Sequence, residues 1–436
     1  MLSSPASAPN ISMCHPERSE AQSKERALYI AVAVFIVVYV AYDLNRLYAL
    51  RYGADLGTYL QTLVNLRGGS SWNYGEWRPH FQVHNSWVLI ALVPLIALIP
   101  RAETLIVVQV AAVALAAIPL ALFAREIGVA PRAATIVAIA YLLTPSAQGI
   151  AYDNFSENVF VPLLVFSGAL AVRKRALLPA LVLGALLLGL KEDEIFFVAW
   201  FAAACALWWD RRIGSALLAL CVLNGVAYWA IESLHGVRPN DPPYGLAVHD
   251  VSGKFTLVSL LLAPFAFAPL AVGRWLLLSV PLLAEIVFMQ PWTYEPSRIG
   301  SHYTAPLLAA AAIAAAFGLR RFPAFARAMI PCALVATFVI FTDTALRPGR
   351  WPYIVDWPAY ARAVAIRNST SAITLPRRDE GVWAVAAVNP RVRLDPHPDP
   401  LFVACPAYNT DARAFFASLA GTMPAALCGG VPVRIK

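Results

Sequence analysis

Long apolar runs alternate with short polar breaks along this chain of 436 residues. The runs occupy residues 27–42, 104–124, 135–149, 159–172, 176–190, 195–209, 215–231, 255–272, 275–290, 303–319 and 325–341. A helix that crosses a bilayer needs roughly 20 mostly apolar residues, with about 17 as a lower limit. The pattern therefore predicts an all-α polytopic membrane protein with roughly eleven transmembrane helices, several of them about 2 to 5 residues short. One more apolar run, 86–100, carries Pro94 and Pro100. Letting it cross would invert every later break, so it reads as a juxtamembrane helix at the outer face.

The breaks divide by charge. Arg125 and Arg132, Arg173-Lys174-Arg175, Arg211-Arg212, Arg274 and Arg320-Arg321 alternate with breaks that hold most of the carboxylates. Cytoplasmic connections are short and rich in Lys and Arg, so the basic breaks read as inside and the acidic ones as outside. On this reading residues 1–26 are a disordered cytoplasmic tail and 27–342 a transmembrane domain with a first outer loop at 43–103. Residues 343–436 are a small extracytoplasmic α/β or irregular domain with strand-like pieces such as VWAVAAV and LFVAC. No solenoid-period repeat and no inverted duplication stands out.

Composition removes the soluble classes. The chain is 59% hydrophobic and 14% charged, where soluble domains carry about 25% charged residues. The formal charge of +8 sits in short clusters between apolar runs, so topology accounts for it: the partner is a lipid bilayer, with no nucleic acid. Cys205, Cys221 and Cys332 lie in apolar runs, while Cys405 and Cys428 lie in the C-terminal region and would be free to pair outside the cytoplasm.

Chemistry is concentrated in the acidic breaks, where ionisable groups at a membrane boundary are costly without a purpose. Asp55, in GADLGTYLQ, suits a general base or a carboxylate that holds a divalent cation such as Mg or Mn; the alternative is a helix cap. His80 and His84, four apart, share one helix face, as ligation or phosphate contact requires, or else bond within the loop. Asp153 and Glu157 are also four apart and either line a cavity or cap the following helix. Lys191, Glu192, Asp193 and Glu194 crowd one turn between apolar runs. Arg298 and His302 suit an anionic head group, since guanidinium binds phosphate bidentately. Trp72, Trp77, Trp87 and Trp292 fit an interfacial belt. No Walker loop, Rossmann fingerprint, CxxC pair or nucleophile elbow is present.

With these residues in place, the chain resembles, over about residues 40 to 340, an uncharacterised family of prokaryotic polytopic membrane proteins. The architecture of that family looks like that of the GT-C glycosyltransferases. The resemblance rests on Asp55-Leu56-Gly57 with Gln61, His80-Phe81 with His84, Asp153 with Glu157, Lys191-Glu192-Asp193, and His302-Tyr303 opening a late helix. It implies a sugar carried on a polyprenyl phosphate, with Asp55 as the outer-loop base or metal-binding acid and Asp43 as the reserve candidate. It implies further that His80, His84, Lys191, Arg298, His302 and Tyr303 contact substrate, while Asp153, Glu157, Glu192 and Asp193 shape the cavity or hold its cation. The sugar and the acceptor are left open.

The expectation is a glycosyltransferase at the outer face of a bacterial inner membrane. A transporter or flippase would instead place ionisable groups near mid-span, where Glu285 is the main example. A non-catalytic membrane protein is the third possibility.

Overall fold

The computed structural model describes residues 16–76, 78–235, 250–288, 299–340, 344–346, 357–369, 373–377 and 387–398. Arg298, Trp77, Trp292, Cys405 and Cys428 lie outside the described residues.

Helices dominate. α1 (Pro16–Tyr48) and α2 (Ala54–Leu66) are followed by a hairpin, β1 (Trp72–Asn73) and β2 (Arg78–Pro79), and then by α3 (Val93–Leu98), α4 (Ala102–Leu115) and α5 (Ala117–Glu126). Next come α6 (Pro131–Leu142), α7 (Pro145–Tyr152), α8 (Val161–Arg173), α9 (Leu177–Leu188), α10 (Glu194–Trp208) and α11 (Arg211–His235). The described part closes with α12 (Val251–Leu262), α13 (Val280–Phe288), α14 (Ala305–Arg321), α15 (Ala326–Val335), α16 (Trp357–Asn368), β3 (Ile373–Arg377) and β4 (Val392–Pro398). β3 and β4 pair in parallel from Ile373 opposite Val392 to Arg377 opposite Pro398.

Four helical stretches are long and apolar enough to cross a membrane: Arg26–Tyr48, Ala102–Glu126, Arg211–Ile231 and His302–Arg321. The bent pair Pro131–Leu142 and Pro145–Tyr152 would make a fifth. Other apolar helices, among them Leu177–Leu188, Glu194–Trp208 and Val251–Phe265, are shorter. Among the described residues the structure thus carries four or five candidate spans where the apolar runs alone predict roughly eleven. Chain breakers account for part of the difference: Pro145 restarts the helix after Thr144, and Ala266 and Phe267, at φ 51° and 55°, interrupt the 255–272 run.

The core gathers around α14, whose residues from Leu307 to Leu319 are buried. Its alanine run lets neighbours approach closely; a Cβ on Gly318 would come within 2.4 Å of the Ala268 carbonyl oxygen. Where α6 and α7 meet at 49°, the freed backbone groups find partners, as an apolar surrounding demands. Thr144 Oγ1 accepts from Ala147 N–H at 3.0 Å. The Leu143 carbonyl accepts from Gln148 Nε2 at 2.8 Å and from Thr337 Oγ1 at 2.6 Å.

A second core lies under the polar stretch. Leu47, Leu50, Leu56, Leu60, Leu63, Leu89, Ile96, Leu105 and Phe155 cluster there, together with Ala363, Ala387 and Val388 from the C-terminal region. The stretch is therefore a folded cap rather than an open loop. α1 runs through Asp43 to Tyr48, so Asp43 belongs to a helix and is 0% exposed.

Candidate functional site

The site begins at the first turn of α2. Gly53 takes the N-cap position, and its N–H donates to Asn154 Oδ1 at 2.9 Å. A Cβ on Gly53 would meet the Asn154 amide at 2.7 Å and displace the side chain that pairs with the Gly53 N–H. This contact brings Asp55 to the 151–158 break. Asp55 is half-buried and accepts no hydrogen bond from the described residues, so it does not act as a cap. Burial raises its pKa, with Asp153 and Glu157 adding to the rise and His302 and Lys191 opposing it.

Asp153 and Glu157 do not cap α8 either. Ser156 caps the short 3₁₀ turn Glu157–Phe160, accepting from Asn158 N–H at 3.3 Å. Asp153 is free to reach the opening of α14, where its Oδ2 lies 3.0 Å from His302 Nδ1 and accepts from the His302 N–H at 3.1 Å. Burial pushes the Asp153 carboxyl up, but the His302 contacts and the Asn154 N–H outweigh it and hold the pKa below the usual carboxylate value.

Glu157 is fully buried. Its Oε1 accepts from Ser86 Oγ at 3.0 Å, and its Oε2 accepts from the Tyr59 hydroxyl. Burial raises its pKa, yet Lys191, His84, His80 and the Tyr59 bond together bring it below the ordinary value, so Glu157 is ionised. The Lys191 ammonium stands 5.1 Å from the centre of the Tyr303 ring. Burial lowers its pKa, but Asp193, Glu157, Tyr303 and Glu192 raise it further, so Lys191 stays charged.

Three histidines each meet a carboxylate through Nδ1. Besides the Asp153 pair, His84 lies 3.1 Å from Glu192 Oε1 and His80 lies 2.9 Å from Glu76 Oε1. Glu76 sits in the hairpin turn and is itself held by Asn73, whose Nδ2 donates at 2.6 Å. The His80 ring packs edge-on to Tyr59, 5.2 Å between centres, and its Nε2 is buried without a hydrogen bond. The four-residue spacing does bring the rings of His80 and His84 to 5.4 Å.

The structure therefore brings together Asp55, His80, His84, Asp153, Glu157, Lys191, Glu192, His302 and Tyr303, from breaks far apart in sequence. Asp193 adjoins Lys191 and has one buried oxygen without a hydrogen bond. Asp43 stands apart, fully buried near Arg46 and Tyr52. Arg46 is sandwiched between the rings of Tyr52 and Tyr152, at 4.3 and 4.4 Å.

Metal was a candidate role for several of these acids. Among the described residues no three His, Cys, Asp or Glu side chains come together in a metal-holding group. Three histidine Nδ1 atoms and four carboxylate oxygens are paired with one another. Glu76, four residues before His80, is one of the ionisable groups that mark the polar stretch in the sequence; Tyr59, Ser86 and Asn154 carry no such signal.

Residues 46–233 match the family model described as Predicted membrane protein (DUF2079). The DUF2079 match takes in Asp55, both histidines of the cap, Asp153, Glu157 and Lys191 to Asp193; His302 and Tyr303 fall beyond it. No curated protein matches the chain.

Proposed function

We propose that the protein is a membrane glycosyltransferase that takes a sugar from a polyprenyl-phosphate donor at the extracytoplasmic face, with a GT-C-like arrangement of its helices. The observation that carries this reading is the state of Asp55. It is a half-buried carboxylate that no described residue hydrogen-bonds, in a cluster whose other acids are tied to a histidine, a hydroxyl or Lys191. A base needs an accessible lone pair and a pKa moved toward neutrality; burial supplies that direction at Asp55.

In the proposed step Asp55 accepts the proton of the acceptor hydroxyl as its oxygen bonds to the anomeric carbon of the sugar. The bond from that carbon to the phosphate oxygen breaks, and the phosphate leaves with the electron pair. Lys191, His84 and His302 face the negative charge that develops. Asp43 has no part in this step, because it is sealed inside α1 and its neighbours. The inner-membrane location, the outward-facing cap, the extracytoplasmic side of residues 343–436 and the further, shorter spans belong to the same proposal. Purified protein incubated with polyprenyl-phosphate sugars tests it: donor is consumed by the wild type, and no consumption above a heat-inactivated control would sink it.

One observation favours transport as a second reading, namely the 49° break between α6 and α7, since interrupted helices are common at transporter binding sites. Transport predicts that intact donor appears on the far side of a vesicle with no change in its chemistry.

A further inference from the structure

Both oxygens of Glu192 are committed to the segment that carries His84. Oε1 lies 3.1 Å from His84 Nδ1, and Oε2 accepts from the Asn85 N–H at 3.2 Å. Asn85 Nδ2 in turn donates to the Leu188 carbonyl at 3.2 Å. The 84–85 segment and the turn after α9 are thereby fixed against each other. With Nδ1 occupied, the one polar atom His84 has left is Nε2. Among the three site histidines its side chain is the most open, 24% exposed against 11% for His302 and 0% for His80.

The groups that act on His84 are Glu192, Glu157, Lys191 and the His80 ring at 5.4 Å. A ring flanked by two carboxylates is stabilised in its doubly protonated form, which donates from both nitrogens. Its neighbour along the chain from Glu192 is Lys191, whose ammonium brings three donors and no acceptor.

We propose that Glu192 is a positioning residue that holds His84 as an imidazolium and so completes, with Lys191, an oxyanion site for the phosphate group of the substrate. The identity of that phosphate rests on the glycosyl-transfer reading; the anion site does not. The shifts agree in sign. Burial lowers the pKa of His84, but the Glu192 hydrogen bond and the charges of Glu157 and Glu192 raise it above the ordinary value. Burial raises Glu192, but His84 brings it down to about 2. A raised histidine keeps its charge below its folded pKa and loses it as pH rises through that value, so anion affinity falls on the alkaline side.

Sulfate is the probe, because its own charge does not change between about pH 6 and about pH 8, where histidine titrates. Calorimetric titration of the full chain in detergent should show tighter sulfate binding at the lower pH. Glu192→Gln should weaken binding roughly tenfold at about pH 7, the size of one lost charge-assisted hydrogen bond, and move the midpoint of the profile down. Glu192→Asp should restore both. If Glu192→Gln does not fold, His84→Asn serves in its place and should flatten the profile. Absence of sulfate binding by the wild type, or an unchanged affinity and midpoint in Glu192→Gln or an unflattened profile in His84→Asn, overturns the proposal. A sulfate profile as described, with no donor turnover, would remove the transfer reading and leave the anion site standing.

Discussion

His302 addresses Asp153 twice: its ring Nδ1 at 3.0 Å and its backbone N–H at 3.1 Å both meet Oδ2 of a residue 149 positions earlier in the chain. This contact ties the opening of α14, the most buried of the four long candidate spans, to the end of α7 and so sets one wall of the site. Asp153→Ala should cost about 1 to 3 kcal/mol, the loss expected when hydrogen-bonded partners are left unpaired. Because Asp153 has a lowered pKa, its contribution is present above the ordinary carboxylate value and is lost as pH falls through the folded value. Thermal unfolding followed below about pH 4 should show that loss in the wild type and no such step in Asp153→Asn.

Behind the same wall, a Cβ placed on Gly149 would lie 2.0 Å from Gly300 Cα and 2.6 Å from its carbonyl oxygen. Backbone on both sides leaves no flexible side chain to give way. Gly149→Ala should destabilise by about 1 to 3 kcal/mol as an overpacking change and pull His302 from Asp153. An unfolding temperature equal to that of the wild type would show that the two segments do not touch.

Glu157 provides a different test, since it is fully buried and accepts from Tyr59 and Ser86, with Ser156 Oγ a longer third donor at 3.4 Å. Tyr59→Phe should cost about 1 to 3 kcal/mol, with Ser86→Ala adding to it less than independently because the two share one carboxylate. A double-mutant cycle in denaturant measures that coupling; strict additivity would mean that the hydroxyls do not meet on Glu157.

The Arg367 to Glu103 ion pair at 2.8 Å joins α16 to α4 and involves the Tyr48 hydroxyl as well. Both side chains are about one-fifth exposed, at 22% and 21%. Ion pairs in contact with solvent are worth about 0 to 1 kcal/mol, so Arg367→Ala should shift the unfolding temperature little, and less again at high salt.

The sequence was most informative where chemistry and spacing coincide. Asp55, Asp153, Glu157, the Lys191 to Asp193 turn and His302 stand out because charge between apolar runs is expensive, and the structure gathers them. Their pairings were not legible: contact between Asp153 and His302, or between His84 and Glu192, depends on which segments pack together, and hydropathy carries no record of that. The bland alternative for Asp153 and Glu157, helix capping, fails because Ser156 is a better cap and lies between them. Asp43 was misleading in a similar way, since the apolar run ends at Tyr42 while the helix continues to Tyr48, held by partners from elsewhere in the fold. The span count suffered most, because apolar runs report burial in a core and in a bilayer alike, and Pro145 and the Ala266-Phe267 turn divide runs that hydropathy joins.

The central claim concerns Asp55, and donor consumption by an otherwise intact variant tests it most directly. Wild-type protein and Asp55→Asn, matched in unfolding temperature and in sulfate binding, are given the same polyprenyl-phosphate sugar. The account predicts a fall in turnover of at least about a hundredfold, the scale of a lost general base, with donor binding retained. Equal turnover by the two proteins would contradict it.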